Sequence, residues 1–131
     1  MPTLNMKQTI SGSLPDALER VTSALQKEGF GVLTRIDLHQ KFKEKLGKDV
    51  PPVVILGACN PKLAFEAYAA NSDVASLLPC NVVLRELDPG RISVEMAKPS
   101  SMMEILGEPG LTAMAAQADA VLARALVSLA D

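Results

Sequence analysis

Val53-Val54-Ile55-Leu56 is an unbroken apolar run that ends in Gly57-Ala58-Cys59 and then Asn60-Pro61. Four consecutive apolar residues between turn signals read as a strand buried on both faces, and such a strand belongs inside a sheet. Asn60 is a strong helix N-cap and Pro61 an ideal first helical residue, so a helix is predicted over residues 61–70. The strand thus feeds straight into a helix, and the junction carries Cys59. The second cysteine, Cys80, repeats the pattern: Leu77-Leu78-Pro79-Cys80-Asn81 leads into another apolar stretch. Both Cys-Asn pairs are therefore expected to lie close together at one edge of the sheet.

The other elements follow from punctuation and periodicity. A weakly alternating edge strand is expected over residues 3–10. Ser13 caps a helix with the stripe Leu14, Leu18, Val21 and Leu25, stopped by Gly29. Residues 30–38 read as a half-buried strand with Val32, Thr34 and Ile36 on one face and Leu33, Arg35 and Asp37 on the wetter one. Asp37 with Gln40 suggests a capping box for a helix ended by Gly47, whose Lys41, Lys43, Lys45 and Lys48 form a solvated face. The helix over 61–70 is apolar nearly all round, which suggests contact with another subunit as well as the sheet.

A short turn precedes Pro79. Residues 82–87 and 91–97, around Asp88-Pro89-Gly90, form an antiparallel hairpin that sets Val82 and Leu84 against Ile92, Val94 and Met96. Residues 98–110 read as a loop holding a short helix, with Met102 and Met103 as an adaptable lid or core filling. A long helix from residue 111 covers the sheet. The 131 residues suit one domain over 1–131, of α+β class: two layers, with helices packed on a mostly antiparallel sheet.

Composition narrows the function. A net charge of −2 and the near absence of aromatic residues, three Phe and one Tyr without Trp, argue against nucleic-acid binding, which draws on massed cations and base-stacking rings. Neither a signal peptide nor an uninterrupted membrane-spanning stretch is visible, so no membrane partner and a cytoplasmic location are expected. Two cysteines in a chain of this size point to free thiols.

The stretches Glu28-Gly29-Phe30-Gly31-Val32-Leu33-Thr34, Lys45-Leu46-Gly47, residues 55–64 and Leu77-Leu78-Pro79-Cys80-Asn81-Val82-Val83, in that order, resemble the family called domain of unknown function 302. The resemblance spans nearly the whole chain. It implies a compact α+β fold and a homodimer, and it carries over neither an activity nor catalytic residues.

No catalytic motif stands out, and the residues name no cofactor. The binding candidates are Cys59, Asn60, Cys80 and Asn81, which would serve a homodimeric small-ligand-binding or accessory protein. Asn60 is explained as a cap, and both cysteines as small packing side chains; Asn81 is less well explained. The alternative is thiol redox or metal or haem binding by Cys59, Cys80 or His39, with Cys59 activated at a helix N-terminus. Two distant cysteines and one histidine fall short of a zinc pattern, and the plainer reading of His39 is an exposed imidazole.

Overall fold

The computed structural model describes residues 5–130. In chain order they form β1 (Asn5–Ser11), α1 (Leu14–Lys27), β2 (Gly31–Asp37), α2 (Leu38–Leu46), β3 (Val53–Cys59), α3 (Pro61–Ala70), a 3₁₀ turn (Ser72–Leu77), β4 (Cys80–Asp88), β5 (Arg91–Ala97), α4 (Pro99–Met103), a second 3₁₀ turn (Glu104–Leu106) and α5 (Pro109–Val127). The strands make one sheet in the order β1-β5-β4-β3-β2, antiparallel at every pairing among the described residues. Helices on an antiparallel sheet are the expected α+β class. Thr3 and Leu4 of the expected first strand lie outside the described residues.

Local signals produce most of these boundaries. Ser13 accepts from the Asp16 amide at 3.3 Å and starts α1; Asn60 Oδ1 accepts from the Leu63 amide at 3.1 Å and starts α3 at Pro61. The hairpin pairs Val82 with Met96, Leu84 with Val94 and Glu86 with Ile92. One face of the sheet then gathers Val54, Leu56, Val82, Leu84, Ile92, Val94 and Met96 under α1 and α5, all nearly inaccessible to water. At roughly 1.5–3 kcal/mol per fully buried aliphatic side chain, this layer is the main source of stability. By length and composition α5 matches a membrane span, but its stripe Val121, Leu122, Ala125 and Leu126 packs into this core. A core helix passes the same test.

Three expectations change. β3 is interior, yet only Val54, Leu56 and Ala58 are buried on its helix-covered face; Val53 and Ile55 are half-buried on the other. Among the described residues no helix layer lies over that second face apart from the flanking α2, so a continuous apolar run here does not mean burial on both sides. In β2 a bulge lies between Val32, which pairs with Ala58, and Thr34, which pairs with Gly57. The extra residue moves Val32 to the opposite face from Thr34 and Ile36, breaking the simple alternation. Asp37 makes no capping bond to α2; its carboxylate accepts instead from Arg35 Nε at 2.9 Å.

The open sheet face is mixed: Lys7, Thr9, Thr34, Arg85, Ser93 and Glu95 share it with an apolar patch at the α2 end. Val53, Ile55, Val83 and Leu87, with Leu38, Phe42, Val50 and Pro51, line a groove of about 610 Å³ that Arg85 and Glu86 also border. Beside it the buried Glu95 carboxylate accepts from Arg85 at 2.8 Å and from Ser93 Oγ at 3.1 Å. That carboxylate is satisfied, as a charge removed from water must be.

Candidate functional site

Two adjacent strands bring the Cys-Asn pairs together. β3 pairs Ala58 with Cys80 and Gly57 with Asn81, so both pairs lie at the same end of interior strands rather than on an edge strand. Because paired residues in an antiparallel ladder share a face, Cys80 joins Ala58 on the helix-covered side. Above them α3 and α5 meet, and α4 closes the end. The space between is a cavity of about 40 Å³ bordered by Cys59, Asn60 and Cys80. Its other walls are apolar: Phe30, Leu63, Leu78, Leu111, Met103, Met114, Pro99 and alanines from β3, α3 and α5.

The sequence reading named three of the border residues and the Met103 lid, but not the contribution of α5. Its Leu111, Ala115 and Ala118 were legible only as a core stripe, and nothing in their spacing ties them to a cysteine 30 or more positions away. Small side chains at Ala64, Ala67, Ala115 and Ala118 keep two helices and the sheet close without filling the space between them.

The electrostatics disfavour an activated thiol. Burial pushes the Cys80 thiol up from its ordinary 9.0 to about 11, and the charges of Cys59 and Asp119 push it the same way. Burial also raises Cys59. Desolvation thus disfavours the thiolate at both positions. Both cysteines are free. Asp119 has a structural occupation: its carboxylate accepts from the Ser100 amide at 3.0 Å and from the Ser100 hydroxyl, which holds the start of α4 against α5.

The remaining candidates lie elsewhere. Asn81 is exposed and borders a separate small cavity with Leu77, Pro79, Cys80 and Met102. His39 is half-buried rather than exposed, with Nδ1 3.1 Å from both the amide nitrogen and the carbonyl oxygen of Val53. Val53 and Cys59 are opposite ends of β3, about 20 Å apart at the rise of a strand. His39 and the cysteines thus cannot share one metal ion. Among the described residues no group of three or more His, Cys, Asp or Glu side chains is placed to hold a metal.

Comparison with known proteins agrees with this architecture. The chain is similar over 98% of its length, and over 99% of the other chain, to a solved structure described as an uncharacterized conserved protein DUF302 from Bacillus stearothermophilus, with 31% identity and a TM-score of 0.90. No curated protein matches. The model of the family described as "Domain of unknown function DUF302" matches residues 6–129, and the chain belongs to that family.

Proposed function

We propose that this protein is a homodimeric, non-catalytic binder of a small apolar ligand, held in the cavity bordered by Cys59, Asn60 and Cys80. The observation that carries this reading is the cavity itself: a small apolar space at a strand-helix junction, with alanines of β3, α3 and α5 among its larger apolar walls. Apolar walls with a few polar groups line small-molecule sites, whose volumes run from roughly 300 Å³, so a ligand here would widen the cavity. The raised thiols support packing and ligand contact over thiol chemistry at neutral pH. Free thiols are in keeping with a reducing, cytoplasmic setting. Thermal-shift screening against apolar small molecules checks the reading. Cys59→Ser and Cys80→Ser variants should keep the ligand-induced rise in melting temperature, and no rise with any compound would sink it.

The homodimer reading draws support from the apolar groove on the open sheet face, where Leu87 and the nearby Ile36 are each more than 40% exposed. Five strands of about seven residues present roughly 550 Å² per face at ordinary strand spacing and rise. With α2 alongside, this approaches the roughly 800 Å² per partner of a standard interface. Ile36→Lys with Leu87→Lys should turn a sedimenting dimer into a monomer. Phe65→Lys with Tyr68→Lys on the exposed side of α3 should leave it dimeric; the reverse result would move the interface to α3.

A further inference from the structure

Half of the sulfur side chains in this chain border one small space. Of its two cysteines and six methionines, Cys59, Cys80, Met103 and Met114 line the 40 Å³ cavity. Cys59 is one position beyond Ala58, the ladder partner of Cys80, which sets their Cα atoms roughly 6 Å apart at ordinary strand spacing and rise. A charge on Cys59 accordingly acts on Cys80. Cys80 and Met103 also border the adjoining small cavity and so form part of the wall between the two. Met103 and Met114 pack in one cluster with Leu111. Four elements, β3, β4, α4 and α5, thus contribute one sulfur each.

The side-chain oxygens nearby are engaged. Asn60 Oδ1 accepts from the Leu63 amide, and the Asp119 carboxylate, whose charge reaches Cys80, is held by the Ser100 amide and hydroxyl. Methionine ordinarily fills gaps in a core, yet two methionines and two cysteines here leave a gap between them. Its 40 Å³ exceeds the roughly 10–15 Å³ that holds one water. A single ion fits without the widening that an organic ligand requires. Thiolate and thioether sulfur select soft metals. Zinc takes four ligands from cysteine, histidine and carboxylate, and iron-sulfur clusters take four thiolates; two cysteines meet neither need. Cu(I) is the ion that such a sulfur set suits, and apolar walls keep water from it.

We infer that Cys59 and Cys80 bind one Cu(I) ion as thiolates, with Met103 as a thioether third ligand and Met114 packed behind it. Each thiol gives its proton to solvent, two per ion, and two copper-thiolate bonds form; copper stays monovalent and nothing is oxidised. The site goes beyond the apolar-ligand reading, because the ion uses the cavity at its present size. Binding is measured on the reduced protein without oxygen, with Cu(I) shared between the chain and the chelator bicinchoninate. One Cu(I) per chain should be retained, and X-ray absorption should show sulfur ligands alone. Cys59→Ser and Cys80→Ser should each weaken binding about a hundredfold. Met103→Leu, which keeps the volume, should weaken it about tenfold with one sulfur ligand fewer. His39→Ala should leave the affinity unchanged, and excess Zn(II) should not compete. Cys59 is only half-buried, so its variant carries the test even where Cys80→Ser fails to fold.

Cu(I) passing wholly to the chelator would overturn the inference, as would Cu(I) held as tightly by Cys59→Ser as by the unaltered protein. Displacement by Zn(II), nitrogen or oxygen ligands in the absorption spectrum, or an unchanged sulfur count in Met103→Leu would overturn it equally. None of these outcomes touches the apolar-ligand reading, in which the same serine variants keep their thermal shift, so the two fail separately.

Discussion

Gly57→Ala should destabilise the protein by about 3 kcal/mol, near the upper end for forcing extra volume into a packed site. The backbone at Gly57 is one that any residue adopts, so the effect is one of space alone. A Cβ there would run into Thr34 Oγ1 and come within 2.7 Å of Pro79 Cγ. Thr34 is β-branched and stiff, and the Pro79 ring cannot swing away. In a chain of this size the loss corresponds to a fall of about 10 °C in melting temperature. Thr34→Ala in the same chain should restore part of it, because one of the two obstacles is gone. Equal stability of Gly57→Ala and the unaltered protein in urea unfolding would contradict this packing.

Alkaline pH should weaken the fold through Cys80. Its thiol lies near 9.0 when free and about 11 in the folded protein, so between these values the unfolded chain has released a proton that the native state still holds. Stability therefore falls as pH rises through this window, and the contribution present below pH 9 is lost above pH 11. Two pH units correspond to about 2 to 3 kcal/mol as an upper figure for a group not wholly excluded from solvent. Urea unfolding of the unaltered protein and of Cys80→Ser at pH 8 and pH 11 isolates the effect. The serine variant should lose markedly less stability on the alkaline step, and parallel losses would show that the Cys80 thiol is not desolvated.

The parts of the fold that depend on neighbours in the chain were the most legible. Asn60-Pro61 gave the start of α3 to the residue because the cap bond closes within three positions. Asp88-Pro89-Gly90 gave the hairpin, and Gly90, with φ at +88°, takes the turn conformation that glycine adopts at little cost. Where two local patterns competed, the reading failed. Asp37 had a choice between the α2 amides and Arg35, and it took the guanidinium. The β2 bulge left no composition signal.

Of the site, the sequence offered Cys59, Asn60, Cys80 and a lid of Met102 and Met103, and the fold put the first three and Met103 on one cavity while leaving Met102 and Asn81 next door. The sequence alone determined where most strands and helices lie, which family the chain resembles, and that two cysteines are too few for a disulfide scaffold. Tertiary structure decided that α5 supplies the alanine wall, that burial raises the thiols, and that one face of the sheet stays open. Caps, turns and periodicity act over a few residues, whereas desolvation and cavities arise only where distant segments share the same space.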